Sequence, residues 1–63
     1  MIDTYNEIAD DKLKVGMNVG VLVNKVIEKG EIISIEEGFV RVRHNNKSVS
    51  AYELGYVKFY ELA

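Results

Sequence analysis

Apolar and polar positions first fall into a clear rhythm at Met17. Met17, Val19, Val21 and Val23 alternate with Asn18, Gly20 and Leu22, a period of two that predicts a strand. Glu28-Lys29-Gly30 reads as a turn, and Glu31 to Ile35 as a second strand. Glu36-Glu37-Gly38 reverses the chain again. Phe39 to His44 is the third strand, Asn45-Asn46 a tight turn, and Lys47 to Ala51 the fourth strand. Tyr52-Glu53-Leu54-Gly55 reads as one helical turn stopped by glycine, and Tyr56 to Leu62 as a fifth, terminal strand. Ahead of these, Thr4-Tyr5-Asn6-Glu7 has the form of a capping box, predicting a short helix from about Tyr5 to Asp10 with Ile2, Tyr5 and Ile8 as its apolar stripe.

Register follows from the same alternation. A two-residue loop at Asn45-Asn46 sets Val42 opposite Val49 and Val40 opposite Ala51, with Arg43 opposite Ser48 and Arg41 opposite Ser50. An even loop around Glu37-Gly38 sets Ile35 opposite Val40 and Ile33 opposite Val42. The expected meander therefore carries Ile33, Ile35, Val40, Val42, Val49 and Ala51 on its inner face. Its outer face carries Ile32, Ser34, Phe39, Arg41, Arg43, Ser48, Ser50 and Tyr52. The expected fold is all-β: a small five-stranded antiparallel barrel over 13–63, with a short N-terminal helical or irregular segment over 1–12, in one domain of 63 residues.

LKVGMNVGVLV, EKGEIISIEEGFVRVRHNN and Leu54-Gly55-Tyr56-Val57 together resemble the small barrels of the Tudor, KOW and Src-homology type, over about Leu13 to Leu62. The resemblance implies ligands such as nucleic acid, ribosomal or polymerase surfaces, and methylated side chains. The last of these needs an aromatic cage at the loop tips, and Asn24-Lys25-Val26-Ile27 and Asn45-Asn46 supply no aromatic ring.

Composition narrows the picture further. A chain this short buries only about 60% of the surface its unfolded form exposes, so it draws on extra support. With no cysteine, neither disulfides nor thiolate metal sites can supply it. Apolar content of 48% fits a folded chain. No apolar run approaches a membrane span, and the acidic start does not resemble a secretory signal, so a cytoplasmic protein with no membrane partner is expected. The net charge of −2 hides an asymmetry: Asp3, Glu7, Asp10 and Asp11 crowd the first segment, while the remainder is mildly basic.

Chemistry for catalysis is sparse. His44 is the only histidine, Asp10-Asp11 and Glu36-Glu37 are adjacent acids that diverge, and the five glycines are dispersed rather than gathered into a phosphate loop. No enzyme, metal or cofactor is expected. Two binding surfaces remain. Tyr56, Lys58, Tyr60 and Tyr52 offer outward aromatics of the kind enriched in protein interfaces. Arg41, Arg43, Lys47 and Phe39 offer a cationic and aromatic platform for nucleic acid. The preferred expectation is a non-enzymatic, protein-binding accessory or regulatory protein, of the build common in phages and mobile elements. Nucleic-acid binding is the alternative, and a homodimer through an open edge is compatible with either.

Overall fold

The computed structural model describes residues 6–62; Ile2 and Tyr5, assigned above to a helical stripe, lie outside the described residues. Six strands form one antiparallel sheet: β1 (Asn6–Ile8), β2 (Asn18–Val23), β3 (Val26–Glu36), β4 (Phe39–His44), β5 (Val49–Glu53) and β6 (Lys58–Glu61). Their order across the sheet is β1-β6-β2-β3-β4-β5. The described residues contain no α-helix, only a 3-10 turn at Asp10–Lys12.

The sheet curls without closing into a hydrogen-bonded barrel. β5 and β6 stand four steps apart in strand order. In a flat sheet, at about 4.8 Å per step, they would be about 19 Å apart. Yet the rings of Tyr52 and Phe59 meet edge to face with centroids 6.4 Å apart. The bend is concentrated in the long β3, where the ladder to β4 slips between Ile32 and Ser34. Such a bulge increases local twist and bends its strand. Val19, Val21, Ile32, Val40, Val42 and Phe59 are all but fully buried inside the curl, and Leu13 plugs it. Ile8, Met17, Ile35, Leu54 and Val57 pack around them.

The expected N-terminal helix is instead β1, whose Ile8 lies opposite Phe59. An isolated turn or two of helix is unstable in water, whereas strand pairing satisfies the backbone and brings Ile8 to the core. The expected turn at Glu28-Lys29-Gly30 is likewise overturned: these residues run straight through β3. The reversal lies earlier, at Asn24-Lys25, with φ of 50° and 67°. Gly30 serves close approach rather than turning. A Cβ there would stand 2.5 Å from Val42 Cγ1 and 2.6 Å from the Arg43 carbonyl oxygen.

Glu37-Gly38 is a two-residue reversal, an even loop as expected, with both residues at positive φ, and Ile35 faces Val40 as read from the sequence. Beyond the bulge the expectation fails: Ile32, not Ile33, lies opposite Val42 and is fully buried. The β4–β5 register is also one residue away from the expected one. Val40 faces Tyr52, Val42 faces Ser50, and Arg43 faces Val49. The cause is a three-residue loop. The Lys47 N–H donates to the His44 carbonyl and the His44 N–H to the Ser48 carbonyl, each at 2.8 Å, with Lys47 at φ 70°. The Asn46 side-chain oxygen accepts from the Ser48 N–H at 3.0 Å and the Ser48 hydroxyl at 2.6 Å, bracing that loop. Tyr52-Glu53-Leu54-Gly55 is not helical: Tyr52 and Glu53 end β5, and the chain turns over Gly55 before β6.

Candidate functional site

Opposed residues of an antiparallel ladder share a face, so the observed registers fix the outer surface of β3, β4 and β5. It has three rows: Glu31, Arg43 and Val49; Ser34, Arg41 and Ala51; Glu36, Phe39 and Glu53. Three acids therefore share this face with two arginines. Arg43 Nη2 lies 3.2 Å from Glu31 Oε1, with both side chains about half exposed. Such a pair contributes at most about 1 kcal/mol to stability. It nevertheless aligns the guanidinium with a carboxylate of the same sheet. Arg41 is exposed and makes no ion pair among the described residues. Asp10 and Asp11 form no ion pair with these arginines.

At one end of this face, one candidate from each of the two surfaces suggested by the sequence lies on adjoining segments. Phe39 is 45% exposed in the last row, between Glu36 and Glu53. The Leu54 N–H donates to the Gly38 carbonyl at 2.8 Å, which ties the turn carrying Tyr56 to the turn preceding Phe39. The Tyr56 N–H in turn donates to the Glu53 carbonyl at 3.2 Å. Tyr56 stands 78% exposed. A shallow hollow of about 430 Å³ beside Phe39 is lined by Ser34, Glu36, Glu37, Arg41 and Ala51. Phe39 thus sits within a predominantly acidic rim of Glu36, Glu37 and Glu53, and Tyr56 is exposed on the turn tied to it. The rim was missed in the sequence because Glu36 and Glu37 read as turn letters and Glu53 as part of a helix.

The other expected protein-binding residues are divided. Lys58 and Tyr60 alternate with the buried Phe59 and share the outer face of β6. Lys58 Nζ lies 3.9 Å from Glu7 Oε1 across to β1. Tyr52 does not point outward. The one-residue register difference turns it, with Ser50, to the concave side, where His44 already points in alternation with Val40 and Val42. His44 Nδ1 lies 2.9 Å from the Lys29 carbonyl oxygen. A carbonyl only accepts, so Nδ1 carries the proton and Nε2 is the acceptor. The Tyr52 hydroxyl at 3.2 Å and the Ser50 hydroxyl at 3.3 Å both point at that nitrogen. They floor an open hollow of about 870 Å³ between the Asn24-Lys25 and Asn45-Asn46 hairpins.

The imidazole is a strut joining β3, β4 and β5. Its Nε2 lone pair is shared between two hydroxyls, an arrangement that braces the sheet rather than dedicating a base to one nucleophile. Lys47 sits at the exposed hairpin tip, separated from Phe39 by the length of β4. Among the described residues, no three His, Asp or Glu side chains gather where they could hold a metal. No helix among them is long and apolar enough to cross a membrane. No protein-family model, curated protein or solved structure matches this chain.

Proposed function

We propose that this chain is a non-enzymatic binding module that docks a partner protein at the end of the sheet formed by Phe39, Tyr56 and their acidic rim. The observation that carries the reading is the pair of exposed aromatic side chains, Phe39 and Tyr56, borne on two turns that are hydrogen-bonded together. Exposed aromatics within a polar rim are the usual anchors of protein interfaces. The rim of Glu36, Glu37 and Glu53 outweighs Arg41, so the complementary surface offers lysine or arginine around an apolar patch. The same charge balance disfavours a phosphate-binding platform, whose footprint is basic. An accessory or regulatory role, exerted by occupying a partner's surface, follows from a small domain with one such end. What supports the resemblance to Tudor, KOW and Src-homology barrels is the run of five successive strands, β2 to β6, curled around one core.

Two measurements test this reading. The first titrates the purified protein against short single- and double-stranded oligonucleotides at low and physiological salt. Only weak binding is expected even at low salt. Tight, salt-dependent binding lost in Arg41→Glu/Arg43→Glu would establish the nucleic-acid alternative instead. The second measures affinity for a partner recovered by crosslinking. Phe39→Ala and Tyr56→Ala are each expected to weaken it by about tenfold or more, the mark of a central anchor. Unchanged affinity in both variants would remove the basis of the proposal.

A further inference from the structure

The two edges of the sheet are unlike each other. β1 closes one side and carries the charged Glu7 in the middle of its described residues. β5 closes the other with Val49-Ser50-Ala51-Tyr52-Glu53, whose one charge stands at its end and which contains no lysine, proline, glycine or bulge. Those are the devices that ordinarily protect an edge from pairing. The direction of its unpaired groups can be fixed. The Ser48 carbonyl accepts from His44, and the Leu54 N–H donates to Gly38. Antiparallel main-chain groups alternate in direction, so even-numbered residues of β5 turn toward β4. Val49 and Ala51 therefore turn both N–H and carbonyl away from the sheet, and Glu53 its N–H, while the Glu53 carbonyl already accepts from the Tyr56 N–H.

We infer that β5 is a homodimerisation edge, pairing antiparallel with β5 of a second copy about a two-fold axis at Ser50. This register satisfies the main chain and the side chains together. Val49 lies opposite the partner's Ala51, and Ala51 opposite the partner's Val49. All four residues have edge-facing groups, so each pair exchanges two hydrogen bonds. On the outer face, Val49, which is 51% exposed in the single chain, covers the partner's Ala51. Next along, Glu53 comes alongside the partner's Lys47 at the hairpin tip, so opposite charges meet at both ends of the ladder. Ser50 meets its own copy, and Tyr52 meets the partner's Ser48. A slip that places the axis at Ala51 sets Val49 against the partner's Glu53 and loses this match. The charge complementarity of Lys47 and Glu53 across the axis identifies the occupant as a second copy of this chain. An isologous contact of this kind is self-limiting, because each copy has one such edge.

Sedimentation equilibrium of the pure protein from micromolar to millimolar concentration tests the inference. A monomer–dimer equilibrium is expected. Ala51→Pro is expected to abolish the dimer while leaving circular dichroism and thermal unfolding of the monomer intact, because the lost N–H faces solvent. Glu53→Lys and Lys47→Glu are each expected to weaken dimerisation about three- to tenfold by placing like charges together. Combining the two should restore it. The charge exchange keeps the test decisive if the proline variant does not fold. A monomer at every concentration overturns the inference, as does a dimer indifferent both to Ala51→Pro and to the charge exchange. Because Lys47→Glu lies the length of β4 away from Phe39, loss of the dimer in that variant and loss of partner docking are separable.

Discussion

At the scale of single residues, Gly30 and Gly38 answer different physical demands. Gly38 needs only its positive φ of 82°, since a Cβ there would meet nothing within 4 Å. Gly30 needs the absence of a side chain, because a Cβ would press on both Val42 and the β4 backbone. Gly38→Ala is therefore expected to cost about 1 kcal/mol, the penalty of a left-handed conformation. Gly30→Ala is expected to cost more, about 2–3 kcal/mol, because part of the obstruction is backbone that cannot rotate away. Urea denaturation of the two variants measures the difference. Adding Val42→Ala should relieve Gly30→Ala only in part, since the Arg43 carbonyl oxygen remains. Full relief would show that the obstruction is side chain alone.

At the scale of elements, alternation reveals that strands exist but not always where they reverse. The reversal at Glu37-Gly38 was legible because glycine and an adjacent acid mark it. The reversal at Asn24-Lys25 was not legible from the alternation, although the resemblance sets a loop tip there, because a lysine at φ 67° carries no turn signal. The β4–β5 register shows the deeper limit. A two-residue loop would have buried Val49 and Ala51, which looks favourable when the hairpin is considered by itself. The observed loop instead turns Ser50 and Tyr52 inward, and Tyr52 reaches Phe59 and His44. A large ring filling the core outweighs two small apolar residues, but only in the context of β6. The same shift hid the His44 strut and scattered the Tyr52 candidate from the other tyrosines. Lys47, at φ 70°, bears the conformational cost of that loop. Lys47→Gly and Lys25→Gly are each expected to raise stability by up to about 1 kcal/mol by relieving left-handed strain. The two lie in separate hairpins, so the gains should add when measured by urea midpoints at constant slope.

At the scale of the whole molecule, a sheet with two open edges must be held in its curl by side chains rather than by a closing ladder. Tyr52 and Phe59 do this most directly, joining β5 to β6 across the interior. A domain of this size has total stability of only about 3–9 kcal/mol. Deleting the buried ring with Phe59→Ala, at about 3–5 kcal/mol, is therefore expected to leave the chain largely unfolded. Milder changes probe the curl itself. In a cycle of Tyr52→Leu, Phe59→Leu and the double variant, the two positions should couple by about 0.5–1.5 kcal/mol, as edge-to-face rings do. Residues on strands four steps apart in a flat sheet share no contact and would show no coupling. Coupling near zero would mean that the sheet opens in solution, carrying the His44 strut away from the core. Coupling in the expected range would establish the curl as a property of the folded chain, and with it the support that holds both β5 and the turn bearing Tyr56.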